Sequence, residues 1–222
     1  MESPVALKLV VFDLDGTLVS TGADLADAVN ALRREMSLHP LPRRAVEAHV
    51  GQGARHLLRR TLPEVRGLTG TELDRAHRRF IVLYGRRCLV RTRLYPGIRR
   101  ALASLGGLRL VVLSNKPGGI SRKVLRGLGV ARRFSAVVGG DEMRRRKPHP
   151  AAILDLMRRF HARPAETAVV GDSRFDMEAG RRAHARLCAV TWGFGRRREL
   201  ARWKPDAVAT RASDLPAAIR RL

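Results

Sequence analysis

Apolar, β-branched-rich runs recur along the chain at Leu9 to Phe12, Leu108 to Leu113, Ala136 to Val138, Ala168 to Val170 and Leu187 to Val190. Each is too short for an amphipathic helix and too continuous for a strand with one wet face, so each predicts a strand buried on both faces. Between the runs the period changes. Ile120, Val124, Leu125 and Leu128, then Ile153, Leu154 and Met157, fall at helical spacing. Strands alternating with helices in this way predict an α/β fold with a parallel sheet.

One interval breaks the alternation. From Leu18 to about Arg93 no strand is evident, whereas Leu25, Ala28, Val29, Leu32 and Met36 keep the i, i+3, i+4 spacing, as do Leu73, Ala76, Phe80 and Leu83. An all-helical module over 18–93 is therefore expected inside a core made of 1–17 and 94–222. Tyr95-Pro96-Gly97 punctuates the return to the core.

Composition narrows the classes. A chain of 222 residues with 45% hydrophobic content supports a packed core. Met1-Glu2-Ser3-Pro4 has no basic region and the run at Leu9 is broken by Asp13, so no export signal is read and a cytoplasmic location without membrane contact is expected. Cys88 and Cys188 are read as two reduced thiols, and the scattered histidines lack zinc-ligand spacing.

The formal charge of +24 raises the question of nucleic acid. Residues 18–95 hold 15 basic and 7 acidic side chains, and the rest of the chain 29 and 13, so the excess is spread evenly. A solvated arginine-rich surface is expected, without a nucleic-acid footprint, although the field would draw in small anions. A non-enzymatic polyanion-binding protein is the alternative of a different class, with only the charge behind it.

The ends of the strands carry the candidate chemistry. The first run ends in Asp13, with Asp15 two residues on; the second ends in Ser114-Asn115; the fourth leads to Gly171-Asp172, with Asp176 four residues later; Lys147 lies in the basic turn after the third. In parallel α/β sheets ligands bind outside the carboxyl ends of the strands, so these side chains can converge. Two carboxylates ~4 Å apart repel by about 4 kcal/mol at an effective dielectric of 20. Such a cluster calls for a cation, and Mg²⁺ suits carboxylates combined with a phosphate.

"DLDGT" at 13–17, "SNK" at 114–116, "RKPHP" at 146–150 and "GDSRFD" at 171–176 resemble, in order and spacing, the four motifs of the haloacid dehalogenase-like phosphohydrolases. "DLADAVNAL", "HVGQGAR", "LYPGI" and "AVTWGFG" are similar to the phosphoglycolate phosphatase subfamily. The resemblance implies a Rossmann-like parallel-sheet core, an inserted helical cap and Mg²⁺-dependent phosphatase activity. It implies Asp13 as the nucleophile forming an aspartyl-phosphate, and Asp15 as the group giving a proton to the leaving alcohol and later taking one from water. It implies that Asp13, the Asp15 carbonyl, Asp172 and Asp176 hold the metal, while Ser114, the Asn115 backbone and Lys147 grip the transferring phosphoryl group.

A small phosphorylated metabolite is the expected partner, of a monomer or a homodimer. 2-Phosphoglycolate is the favoured substrate, with pyrophosphate, nucleotides or sugar phosphates as alternatives on the same fold. Gly51 and Gly53 in "GQGAR" read as a turn into a helix whose free N–H groups favour anions. Thr17 and Arg55 complete the expected substrate contacts. Ser20, Phe175 and His184 depart from the subfamily pattern, which often has Asp at the first position, Asn at the second and Gly near the third.

Overall fold

A computed structural model of the chain describes residues 6–65, 68 and 70–222. The elements run β1 (Leu9–Phe12), β2 (Val19–Ser20), α1 (Gly22–Glu35), α2 (Arg43–Glu47), α3 (Ala54–Thr61), α4 (Gly70–Arg87), β3 (Arg93–Leu94), α5 (Ile98–Ser104), β4 (Arg109–Leu113), α6 (Gly118–Gly127) and β5 (Ala136–Val138). They continue with α7 (Ala151–Arg159), β6 (Thr167–Gly171), α8 (Arg174–Arg182), β7 (Arg186–Val190), α9 (Arg197–Ala201), β8 (Ala207–Ala209) and α10 (Leu215–Arg220).

Six strands form one parallel sheet in the order β5-β4-β1-β6-β7-β8. Successive side chains of a strand point to opposite faces, and β1 shows both faces covered. Val10 and Phe12 enter one apolar cluster with Ile120, Val124 and Leu125 of α6 and Ile98 and Leu102 of α5. Leu9 and Val11 enter the other, with Ile153, Leu156 and Met157 of α7 and Met177 of α8. Burial on both faces is the reason these strands read as unbroken apolar runs. Each fully buried Leu, Val or Phe side chain contributes roughly 1.5–3 kcal/mol.

The helical interval between β2 and β3 holds α1 to α4. Leu25, Ala28, Val29 and Leu32 of α1 and Leu73, Ala76, Phe80 and Tyr84 of α4 are buried in a core continuous with the first sheet face. The fourth residue on α4 is Tyr84, one position beyond the Leu83 expected, and Leu83 is only partly buried. Among the described residues no helix is long and apolar enough to cross a membrane.

Two findings correct the sequence reading. Val19–Ser20 and Arg93–Leu94 pair antiparallel, with Val19 opposite Leu94 and Ser20 opposite Arg93, where no strand was expected. Two-residue strands carry no period to read, and their pairing ties together the outgoing and returning connections of the helical interval. The sheet also has a sixth strand at its edge, β8, whose Ala-Val-Ala contains a single β-branched residue and leaves Val208 exposed.

Candidate active site

β1 is flanked by β4 and β6: the chain passes from β1 to β4 and β5 on one side, then crosses back to β6 on the other. That reversal opens a crevice at the carboxyl ends, where ligands bind in sheets of this kind. Asp13 is the first residue beyond β1 and is buried; its N–H donates to the Val170 carbonyl at 2.9 Å, extending the ladder by one residue. Beyond it the chain turns sharply, with the Gly16 N–H donating to the Val19 carbonyl at 2.9 Å. Gly16 has φ +91°, and a Cβ there would run into the Asp172 carboxylate. Only glycine meets both demands.

The acids arrive from two loops. Asp13, Asp172 and Asp176 are buried, and one ligand oxygen from each lies within 4.8 Å of the others. Ser173 and Asp176 open α8 with a reciprocal cap: Asp176 Oδ2 accepts from the Ser173 N–H at 3.1 Å and from its hydroxyl at 2.5 Å. Asp176 Oδ1 accepts from Lys147 Nζ at 2.5 Å. One carboxylate thus caps a helix and joins the cluster. Asp172 accepts from Thr17 Oγ1 at 2.8 Å and from the Phe194 N–H at 2.8 Å, so both of its oxygens are oriented.

Lys147 Nζ also donates to Asp13 Oδ1 at 2.8 Å. Its backbone is held by Asn115, whose Oδ1 accepts from the Lys147 N–H at 3.1 Å and whose Nδ2 donates to the Lys147 carbonyl at 3.0 Å. The same Nδ2 donates to the Gly51 carbonyl at 2.8 Å, so Asn115 fastens the basic loop and the loop before α3 to one point. The Asp15 carboxylate stands apart from the other three acids. It accepts from Lys116 Nζ at 2.9 and 3.2 Å, and Lys116 in turn donates to the Tyr84 hydroxyl.

If all four acids ionise they face only two ammonium groups, an excess of two negative charges at the bottom of the crevice. Burial pushes the Asp13 carboxyl up to about 8, with Lys147 pulling down and Asp176 and Asp172 pushing up. Burial, then the neighbouring Asp176, pushes Asp172 up to about 7 against the hydrogen bonds from Thr17, Phe194 and Gly195. Lys147 is held above its ordinary value by Asp13 and Asp176 despite its burial. A divalent cation matches the missing charge, and three buried carboxylates are hard oxygen donors of the kind that hold Mg²⁺ or Ca²⁺. The residues present fit such an ion.

The remaining expected residues fall into two groups. Ser114, Asn115, Gly51 and Gly53 line one cavity with Asp13, Asp15 and Lys147. Gly53, at φ +85°, begins α3 with its Cα facing the Asn115 carbonyl, where a Cβ would sit at 3.2 Å. Thr17 and Arg55 are not among the lining residues. The Thr17 hydroxyl is taken by Asp172, and Arg55 pairs with Asp74 on α4.

Of the departures from the subfamily pattern, Ser20 lies in β2, and the Phe175 ring lies where a Cβ at Gly51 would come within 3.3 Å of it. His184 occupies φ +56° just past α8. Glycine adopts that conformation without the steric cost a Cβ brings.

Lys116 and Tyr84 are the site residues that the sequence reading passed over. Lys116 is the third letter of "SNK", adjacent to two residues already singled out. Tyr84 gave no signal beyond an apolar position one helical turn past Phe80.

A model of the haloacid dehalogenase-like hydrolases matches residues 7–184. A phosphoglycolate phosphatase of Nitrosospira multiformis is 34% identical over 214 residues, covering 94% of this chain and 93% of the relative. One from Chromobacterium violaceum is 36% identical over 192 residues, covering 85% and 86%. The crystal structure of a "predicted phosphoglycolate phosphatase" from Haemophilus somnus superposes with a TM-score of 0.89 at 31% identity, covering 96% of this chain and 98% of that one.

Proposed function

The chain belongs to the haloacid dehalogenase-like hydrolases and is a phosphoric monoester hydrolase among them, and from that premise we propose that it hydrolyses 2-phosphoglycolate through an aspartyl-phosphate on Asp13, with Mg²⁺ as its metal. The observation that carries this reading is the convergence of Asp13, Asp172, Asp176 and Lys147, drawn from three separate segments of the chain onto one crevice. The names of the relatives support the substrate.

Asp13 is the nucleophile. Its Oδ1 is held by Lys147, and no group among the described residues donates to its Oδ2, which is free to attack phosphorus. As the new Asp13–phosphorus bond forms, the ester oxygen departs and takes a proton from Asp15. In the second half of the cycle Asp15 takes a proton from water, which attacks the aspartyl-phosphate and releases inorganic phosphate. Lys116, gripping both Asp15 oxygens, orients that carboxyl toward the crevice. Lys147 offsets negative charge on the nucleophile and the transferring group. Asp13, the Asp15 carbonyl, Asp172 and Asp176 are the groups that would hold Mg²⁺. When bound, the ion supplies positive charge to the phosphoryl oxygens and lets an anionic nucleophile approach them.

The test is a comparison of kcat/KM with Mg²⁺ for phosphoglycolate, pyrophosphate, nucleotides and sugar phosphates, run on the wild type and two variants. Phosphoglycolate is expected to lead. Asp13→Asn is expected to abolish turnover, and Asp15→Asn to harm alkyl esters more than p-nitrophenyl phosphate, whose leaving group needs less protonation. Full activity in Asp13→Asn would sink the mechanism, and a clear preference for pyrophosphate or a nucleotide would overturn the substrate.

A further inference from the structure

The cavity at Asp13 and Asp15 is also lined by Leu25 of α1, Leu57 of α3 and Phe80 of α4, which offer an incoming leaving group no hydrogen bonds. Besides the groups already described at the crevice, Lys116 from the core and Tyr84 from α4 line this cavity and meet each other there. Both side chains are buried. The Lys116 ammonium also lies 4.4 Å from the centre of the Tyr84 ring.

The hydrogen bond between them leaves a donor unused. An ammonium group can only donate, so the Tyr84 oxygen accepts from Lys116 and the phenolic proton remains to be given elsewhere. No acceptor for it is found among the described residues. Buried tyrosine hydroxyls ordinarily find a partner, and an unmet donor costs free energy. Burial also pushes the Tyr84 phenol up, so it keeps the proton it would donate. The Lys116 ammonium is already paired with Asp15 and Tyr84, so the unspent phenolic O–H is the donor that calls for an acceptor here, and the neighbouring positive charge favours an anionic one.

The pair is also at the right depth. Lys116 touches Asp15, the residue assigned to the ester oxygen. A carboxylate one carbon removed from that oxygen extends roughly 3 Å past it, given bonds of about 1.5 Å. The other lysine of the cavity, Lys147, is committed to Asp13 and Asp176. Arg55, expected from the sequence as a substrate contact, is turned to Asp74.

We propose that Tyr84 and Lys116 form the subsite for a carboxylate on the leaving group, and that selectivity for short, acid-bearing phosphate esters is set there. This deepens the phosphomonoesterase reading given above and rests on it.

Tyr84→Phe removes the hydroxyl and keeps the ring. The ratio of kcat/KM for 2-phosphoglycolate to that for ethyl phosphate, which has the same carbon chain without the acid, is expected to fall about tenfold or more. The loss should lie mainly in KM. Titration calorimetry with phosphoglycolate in the Asp13→Asn background should show a matching loss of affinity when Tyr84→Phe is added. Lys116→Gln should lower the same ratio, and it decides the matter if Tyr84→Phe does not fold. A ratio unchanged in the folded variants, or a wild type that binds the two esters equally, overturns the subsite. Absence of turnover by the wild type on every ester would instead overturn the proposed function, while the calorimetric comparison would still judge the subsite.

Discussion

The Thr17 hydroxyl donates a 2.8 Å hydrogen bond to Asp172, joining two loops 155 positions apart in the chain. With the Phe194 N–H on the other oxygen, it fixes how Asp172 presents itself to the acid cluster. Groups that orient a ligand in this way typically account for 10–100-fold in metal affinity. Thr17→Val keeps the shape and removes the donor. The Mg²⁺ concentration for half-maximal activity should rise about tenfold, with little change in kcat at saturating metal. A variant that keeps the wild-type Mg²⁺ dependence would show that Thr17 does not serve Asp172.

Lys147 separates metal binding from turnover. Lys147→Met deletes the ammonium that contacts Asp13 and Asp176, so the transferring group loses its cation; a deleted donor of this kind costs about 10²–10³ in kcat. The acid cluster, relieved of a competing positive charge, should bind a divalent cation at least as tightly as before. Activity assays and calorimetric Mg²⁺ titration on the same preparation check both halves. Loss of metal binding along with activity would contradict this division.

The raised acids predict how stability depends on pH. A carboxyl held at about 8 or about 7 in the fold, against 3.8 unfolded, binds its proton more tightly when folded. The stability it contributes is therefore full below about pH 4 and is lost as pH rises through 7 for Asp172 and 8 for Asp13. In EDTA the melting temperature should fall between pH 5 and pH 9. Mg²⁺ binds the ionised form, so the increase in Tm on adding it should be small at pH 5 and grow toward pH 9. An increment independent of pH would show that these acids are not the ligands.

The core strands were legible because burial on both faces leaves an unmistakable mark: Leu9 to Phe12 and Leu187 to Val190 are apolar without interruption. The chemistry at their ends was legible for a related reason. Acids and a lysine placed just past buried strands have few structural explanations, and the four-motif resemblance assigned each a task. The two-residue strands were not legible, since a segment of two residues has no period, and β8 offers one β-branched residue where β5, of equal length, offers two.

What tertiary structure alone decided is which side chains spend their hydrogen bonds on one another. Thr17 and Arg55 were read as substrate contacts, yet each is engaged by an acid brought close only by folding, Asp172 in one case and Asp74 in the other. Lys116 and Tyr84 meet because α4 turns Tyr84, and not Leu83, toward the loop after β4. A sequence records the order of donors, acceptors and apolar surfaces along one dimension. Pairing among them depends on helix rotation and loop packing, set by the burial of many residues at once.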